Sequence, residues 1–515
     1  MNVDSQSSWR PLKALLGGLI DVPERLQVSD ITQDSRSVTP GAAFLACRGR
    51  SHHGLEFAHS AVAAGARAIL WEPAPGVSPP SLAADVVVCA VPHLSAQLGF
   101  IADRFFDAPS ASLTIAGITG TNGKTTCAWL LANALANCGR RGAYIGTLGA
   151  GGPEAVQPLA HTTPDALTLH RLLAGLHAAG FDSVAMEVSS HALDQERCAG
   201  VRFHTAVFTN LTRDHLDYHR DMPSYGAAKA RLFDWPTLAA RVINVDDPFG
   251  LELARSQLQS RVTQQGPNER LFLTSQRPAE WVASGADYVC ASAVDSRAQG
   301  LRIQLQTSRG AAQLDSSLIG DFNVDNLLSV LAVLLAWDVP LQLACEALAK
   351  CSAPPGRMQA VGGEGRPLAL VDYAHTPDAL AKALHAARAH CRGRLWCVFG
   401  AGGERDPGKR AEMGQIAATL ADTIIVTDDN PRREDPRAIV EAVMSGVIAA
   451  GAASRARVMH DRRRAIHAAL ELAATADVVL IAGKGHEQYQ IVGNERRAFS
   501  DVAVVAEALD ERVRA

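Results

Sequence analysis

The chain lacks any C-x-x-C pair: its ten cysteines, at positions 47, 89, 127, 138, 198, 290, 345, 351, 391 and 397, are scattered. That excludes a zinc ribbon and argues against a disulfide-scaffolded secreted fold, so reduced thiols are expected. Long apolar runs are missing as well. The longest, Val330–Trp337, is far short of the ~20 residues that a membrane-spanning helix needs. The N-terminal segment mixes Asp4, Arg10 and Lys13 ahead of a short apolar stretch, so neither export nor insertion is expected, and a cytoplasmic protein is. Charge is nearly balanced: 49 Lys plus Arg stand against 53 Asp plus Glu. Without a long-range field to gather nucleic acid or an anionic membrane, neither partner is expected and any anion site must be local. Repeats and low-complexity tracts are also absent.

What is present is an ordinary globular mixture, 47% apolar and 20% charged, in 515 residues. At the soft prior of roughly 150 residues per domain this length implies about three domains. Residues 1–108 hold short strand-like pieces, Ala43–Ala46 and Ala68–Trp71, around a small-residue helical pattern near Phe57–Gly65, which reads as a small α/β domain. The pattern breaks at Asp107-Ala-Pro-Ser110. Leu113–Ile118 then reads as a buried strand entering a glycine turn and a helix from Lys124 to Cys138, stopped by Gly139.

Further strands are expected at Ser183–Val188, Thr205–Thr209 and Val242–Val245, the alternation of a mostly parallel sheet covered on both faces. Tyr288–Leu318 alternates like antiparallel strands, and Asn323–Trp337 reads as a helix. Beyond Cys351-Ser-Ala-Pro-Pro-Gly356, the β-rich runs Leu368–Asp372, Leu395–Phe399, Thr423–Thr427 and Val478–Ala482 alternate with Ala-rich helical stretches, giving a third, Rossmann-like domain. The division is therefore 1–108, 109–345 and 346–515, all α/β. Arg462-Arg-Arg464 reads as a solvated helix face.

The sharpest local signal is Gly117-Ile-Thr-Gly-Thr-Asn-Gly-Lys-Thr-Thr126, set between strand and helix as a phosphate loop must be. Gly120, Thr121, Asn122 and Gly123 let backbone N–H groups face phosphates, Lys124 brings a point charge, and Thr125, beside Thr126, can offer a hydroxyl to Mg²⁺. Standard P-loop spacing asks for glycine at 118, where this chain has Ile118. Two other residues look bland alone. His215, in Arg213-Asp-His-Leu-Asp217, reads as a hydrogen-bonded loop histidine, and Lys229 as a surface lysine on a helix.

The loop does not stand alone. Downstream come Thr162-Thr-Pro164, Glu187-Val-Ser-Ser-His191, Gln195-Glu-Arg197, Asn210-Leu-Thr-Arg-Asp-His-Leu-Asp-Tyr-His219, Tyr225 with Lys229, Phe322-Asn-Val-Asp-Asn326, Gly356-Arg-Met358, Asp372-Tyr-Ala-His-Thr-Pro377, Asp428-Asp-Asn-Pro-Arg432 and Gly483-Lys-Gly-His-Glu487. In order and spacing these resemble the Mur ligase family across nearly the whole chain, and the last two resemble its diaminopimelate-adding branch.

The resemblance implies an N-terminal UDP-binding domain, a central ATP-binding domain and a C-terminal amino-acid-binding domain. It implies ATP-dependent ligation of meso-2,6-diaminopimelate to UDP-N-acetylmuramoyl-L-alanyl-D-glutamate in peptidoglycan precursor synthesis, by a monomer. ATP and Mg²⁺ follow from it, with Thr125, Glu187, His215 and a carbamylated Lys229 at the metal, and catalysis resting on Lys124, Glu187, His215 and Lys229. A carbamate turns the lysine cation into an anion with two oxygen acceptors. Asn323, Arg357 and Asp372 are implied around ATP, in a site completed by domain closure.

For the nucleotide-sugar peptide the resemblance implies Ser35, Arg50, Ser51 and His52 at UDP, though His52 and His53 also read as ordinary surface positions. Thr162, Thr163, Ser189, Gln195 and Arg197 suit the peptide's carbonyls and carboxylates. For the amino acid it implies Arg405, Asp429, Asn430, Pro431, Arg432, Gly483 and Glu487. Diaminopimelate differs from lysine by a distal carboxylate, so a bidentate Arg432 gains from that group and is left unpaired by lysine.

Two rivals stay open. A lysine-adding or folate-glutamylating relative would lack Asp-Asn-Pro-Arg or the N-terminal domain respectively. A nucleotide-driven switch would hydrolyse slowly whatever small substrate is present.

Overall fold

The structure, a computed structural model, describes residues 9–49, 52–263, 269–277, 285–297, 300–363 and 365–514. Its chain falls into two compact units, one of residues 1–124, 139–241 and 265–269, the other of 125–138, 242–264 and 270–515.

In the first unit, Ile31–Thr32, Ala43–Ala46, Ala68–Trp71 and Val87–Ala90 form a parallel four-stranded sheet in chain order. Alternation sends Leu45 and Leu70 toward Leu12, Leu94 and Ile101, while Phe44 and Ile69 pack on Leu55, Ala58 and Ala61. Both faces are covered, as short apolar parallel strands require.

Thr114–Thr119 is flanked in parallel by Ser183–Glu187 and Thr205–Phe208, and Gly142–Gly146 pairs with Ser183–Glu187 on its other side. The registers Ile118↔Glu187 and Thr119↔Phe208 bring the phosphate loop, Glu187 and the segment after Phe208 to the same carboxyl edge. Open α/β sheets bind ligands at that edge. The helix starts at Lys124 and runs to Asn137; Gly139, at φ 79°, ends the segment.

In the second unit, Asp287–Arg297, Gly300–Thr307 and Gly310–Ser316 are antiparallel neighbours, as their alternation requires, and Phe322–Ala336 is the expected helix. The break placed after residue 345 falls inside the helix Leu341–Ala349. The C-terminal sheet runs Gln359–Gly362, Leu368–Asp372, Val478–Ala482, Leu395–Phe399, Thr423–Val426, Ala456–Val458, parallel except at its first strand. Leu368, Leu370, Leu395 and Phe399 face the helices Pro377–Ala389, Gly408–Leu420 and Pro436–Ala449. Ala369, Val371, Trp396 and Val398 face Arg462–Leu472 and Asp501–Arg514. This is a doubly wound, Rossmann-like arrangement.

Arg462 corrects the solvated-face reading of Arg462-Arg-Arg464. Its guanidinium is fully buried, gives Nε and Nη2 to the two carboxylate oxygens of Asp501 at 2.8 and 2.7 Å, and donates to Ala482 O at 2.9 Å. Arg463 and Arg464 are exposed. The helix presents one inward face, and its first position lies on it.

Candidate functional site

Gly120, at φ 145°, is where the strand turns into the loop, and a Cβ there would collide with Thr209 Oγ1. The loop is fastened from the neighbouring strand's exit. Thr121 N donates to Asn210 O at 2.8 Å, Asn122 N to Asn210 Oδ1 at 3.0 Å, and Thr209 Oγ1 to Asn122 O at 2.6 Å. Lys124 Nζ donates to Gly120 O and Thr121 O at 2.9 and 2.8 Å, curling the charge over the loop. Thr125 is buried at the helix start, with Gly123 and Thr126 half-buried beside it.

Lys229 is not a surface lysine. It is 1% exposed, donates to Gly120 O at 2.8 Å and lies 4.4 Å from the Tyr225 ring centre, while the Tyr225 hydroxyl meets Thr121 Oγ1 at 3.2 Å. Burial, and then the Lys124 charge, push its pKa down to about 6. That shift favours the neutral amine, the form that can add carbon dioxide.

Glu187 ends its strand buried. Its Oε1 accepts from Tyr144 Oη at 2.5 Å and Thr147 N at 2.8 Å, and its Oε2 from Thr147 Oγ1 at 3.3 Å. His215, at φ 53°, lies edge-on to His191 with ring centres 4.8 Å apart and 6.2 Å from the Tyr225 ring.

Among the described residues no three His, Cys, Asp or Glu side chains group as a metal cage. Magnesium does not ask for one, since it keeps waters and substrate phosphates and takes only one or two carboxylates. A fixed carboxylate, an imidazole and a buried amine able to become a carbamate fit such an ion.

The residues that the resemblance implies for the peptide lie in mutual contact or beside Glu187 and Thr147. Thr163 Oγ1 donates to Glu187 O at 2.9 Å and accepts from Ser189 N at 3.1 Å, and Thr162 Oγ1 meets Thr147 Oγ1 at 3.1 Å. Arg197 is tied to Gln195 Oε1 at 3.0 and 2.6 Å and to Thr163 O at 3.0 Å. At the N-terminal end, Ser35 opens a single 3₁₀ turn capped by Asp34. His52 faces Glu56 Oε2 at 3.1 Å, and His53 caps the next turn. Arg50 and Ser51 lie outside the described residues.

In the second unit, Asn323 is buried with its amide engaged: Nδ2 donates to Ile319 O and Oδ1 accepts from Asn326 Nδ2, at 2.8 and 2.9 Å. Arg357 lies 5.1 Å over the Tyr373 ring. Asp372 accepts from Met358 N and Ala374 N, both at 2.8 Å; burial raises its pKa and the Arg357 charge opposes that.

The residues that the resemblance implies for the amino acid lie near one another. A Cβ on Gly402 would stand 3.1 Å from Arg432 Nη1 and 3.6 Å from Arg405 Cγ, so both arginines flank that glycine. Arg432, at φ 55°, donates from Nη1 to Gly403 O at 2.7 Å and from its backbone to Ile491 O at 3.1 Å. Gly483 requires its φ of 118°, and a Cβ there would sit 2.6 Å from Asp429 Oδ2. Pro431 is buried, and Asn430 Nδ2 donates to Glu487 Oε2 at 2.8 Å.

Sequence reasoning missed the supports. Tyr144 and Thr147 hold Glu187, and the hairpin Tyr489–Val492/Glu495–Ala498 clamps Asp429–Arg432 through Gln490 Nε2 on Asp429 O and Ile491 N on Asn430 Oδ1. Arg410 is bidentate on Glu434 at 2.6 and 2.8 Å, and Glu434 in turn accepts from Glu404 N at 3.0 Å, beside Arg405. No motif announces these partners, because they meet only in the folded chain.

Three family descriptions match in order: the Mur ligase family catalytic domain over residues 27–106, the Mur ligase middle domain over 118–334, and the Mur ligase glutamate ligase domain over 356–485. A protein of Alkalilimnicola ehrlichii named UDP-N-acetylmuramoyl-L-alanyl-D-glutamate--2,6-diaminopimelate ligase is 46% identical over 96% of this chain and 97% of its own. One of the same name from Xanthomonas campestris pv. campestris is 49% identical over 94% of each. A solved structure of a ligase of that name matches with TM-score 0.73 and 35% identity, over 98% of this chain and all of its own. Phosphate loop, carboxyl-edge glutamate and paired arginines thus sit in a chain that is similar end to end to these ligases, and it belongs to the Mur ligase family.

Proposed function

We propose that the chain is an ATP-dependent ligase of peptidoglycan precursor synthesis, joining meso-2,6-diaminopimelate to UDP-N-acetylmuramoyl-L-alanyl-D-glutamate and releasing ADP and phosphate. The carrying observation is the Gly120 cradle, two lysines on one phosphate-loop carbonyl, in a chain whose relatives bear the name of this ligation. ATP consumption on a nucleotide-linked precursor belongs to the cytoplasm.

The γ-carboxylate of the substrate's D-glutamate attacks the γ-phosphorus of ATP, forming an acyl phosphate and expelling ADP. The amine of diaminopimelate then adds to the activated carbonyl, and the tetrahedral species collapses to an amide and phosphate. No bond to the enzyme is needed, so the work is positioning and charge neutralisation. Burial pushes the thiols of Cys198 and Cys351 up to about 12, consistent with cysteines that take no part.

Lys124 leaves its loop carbonyls for the phosphates. Glu187, His215, the Thr125 hydroxyl and a carbamylated Lys229 would hold magnesium, whose charge would help neutralise the phosphates. Asn323, Arg357 and Asp372 serve the ATP, and Ser35, Arg50, Ser51 and His52 the UDP. Thr162, Thr163, Ser189, Gln195 and Arg197 serve the sugar peptide. Arg432 and Arg405 take the distal carboxylate of diaminopimelate and Glu487 an ammonium, which supports that amino acid over lysine. The three-part division into UDP, ATP and amino-acid domains follows the same residue groups.

The test is product identity. Incubation with both substrates, ATP and Mg²⁺ should yield one new amide, identified by mass spectrometry, for each ADP formed. ADP formation without a new amide would overturn the proposal.

A further inference from the structure

Lys484 lies in the Gly483-Lys-Gly-His-Glu487 motif, but the proposed reaction gives it no task. Its side chain is wholly buried. Nζ donates to Asn430 Oδ1 and to Glu487 Oε2, each at 3.0 Å, and stands 3.7 Å from Asp429 Oδ1. Two of its three donors are used in those hydrogen bonds, and the Asp429 carboxylate lies within ion-pair range of its charge. Asn430 Nδ2 donates at 2.8 Å to the same Glu487 Oε2. That oxygen holds two donors, whereas no protein hydrogen bond reaches Glu487 Oε1 among the described residues, and the glutamate side chain keeps some exposure.

Burial raises the pKa of Asp429, and the charge of Arg462, whose own partner is Asp501, opposes that rise. The five charges sum to one surplus negative. Without Lys484, Asp429 and Glu487 would face each other across a dry space, and one carboxylate would turn away or take up a proton.

We infer that Lys484 is a positioning residue for amino-acid selection: it pins Glu487 by one oxygen and offsets Asp429, so that a single oriented carboxylate oxygen meets the incoming ammonium. The inference rests on the proposed function, since it presumes that Glu487 receives diaminopimelate. Lys484 acts through Glu487 and touches no substrate.

The test uses the full chain, with KM measured separately for diaminopimelate, ATP and the nucleotide-sugar peptide in native enzyme, Lys484→Met, Glu487→Gln and the double variant. Lys484→Met should raise the diaminopimelate KM about tenfold or more and leave the other two within about twofold. The double variant should match Glu487→Gln to within about twofold, because the lysine's effect passes through the glutamate. A diaminopimelate KM unchanged in Lys484→Met, a common rise in all three constants, or effects that multiply in the double variant would overturn the inference. Should Lys484→Met fail to fold, the comparison of Glu487→Gln with the charge-balanced double variant decides by the same criterion. Native enzyme that ignores diaminopimelate would strike the proposed function itself; native enzyme that uses it, with an insensitive Lys484→Met, strikes only this inference.

Discussion

Lys124 and Lys229 donate to one and the same oxygen, the Gly120 carbonyl, from 2.9 and 2.8 Å. Two ammonium groups around one acceptor repel, and the buried one yields: Lys229 is driven down to about 6 by burial first and the Lys124 charge second. Burial, with the phosphate-loop lysine adding to it, thereby favours the neutral amine that the proposed carbamate requires.

That depression has a sign that can be measured. Between about 6 and the ordinary lysine value of 10.5, the unfolded chain binds a proton that the folded chain does not, so this group's contribution makes stability rise with pH across that window. In CO₂-free buffer Lys229→Met should therefore be more stable than the native chain at pH 7, by on the order of a few kcal/mol. The gap should close toward pH 10.5 in denaturant titrations. A gap independent of pH would mean that Lys229 stays charged. In activity assays Lys229→Ala should be crippled, and added short carboxylates should partly restore it; full activity without additives would contradict the carbamate.

Lys124→Ala should lower kcat/KM by roughly a hundredfold or more while the melting temperature stays near native, because its charge serves phosphates rather than a core contact. Near-normal turnover would remove the phosphate-loop assignment.

Arg432→Ala should hurt diaminopimelate use far more than lysine use. Losing a charge-assisted bidentate contact costs a few kcal/mol, or roughly a hundredfold in kcat/KM for the dicarboxylate, and lysine has no such contact to lose. Equal losses for both amino acids would make the Asp-Asn-Pro-Arg segment structural.

Asp501→Ala strands the Arg462 guanidinium in a dry interior, and breaking such a pair typically costs about 3–5 kcal/mol in denaturant unfolding. A loss under about 1 kcal/mol, the surface-pair range, would show that water reaches the arginine.

Apolar runs made the sheets legible. Leu395–Phe399 and Val478–Ala482 carry their period in plain sight and end where expected, and the antiparallel segment from Asp287 follows its alternation. The two-residue strand Ile31–Thr32 and the hairpin after Tyr489 were not legible, being too short or too polar to show a period. In the site, motif residues could be named because the resemblance implies a chemical task for each, but Lys229 and Arg462 were misread as bare residues. A charged side chain looks solvated in one dimension, and only its partners, 109 and 39 positions away along the chain, account for its burial.

The central claim, coupling of ATP cleavage to diaminopimelate ligation, is tested most directly by phosphate release with each component omitted in turn and with amino acids varied. Phosphate should appear rapidly only when ATP, UDP-N-acetylmuramoyl-L-alanyl-D-glutamate and meso-diaminopimelate are all present, and lysine should replace the last at roughly a hundredth of its kcat/KM or less. Phosphate release that continues without the sugar peptide, or that proceeds equally well with lysine, would contradict the account.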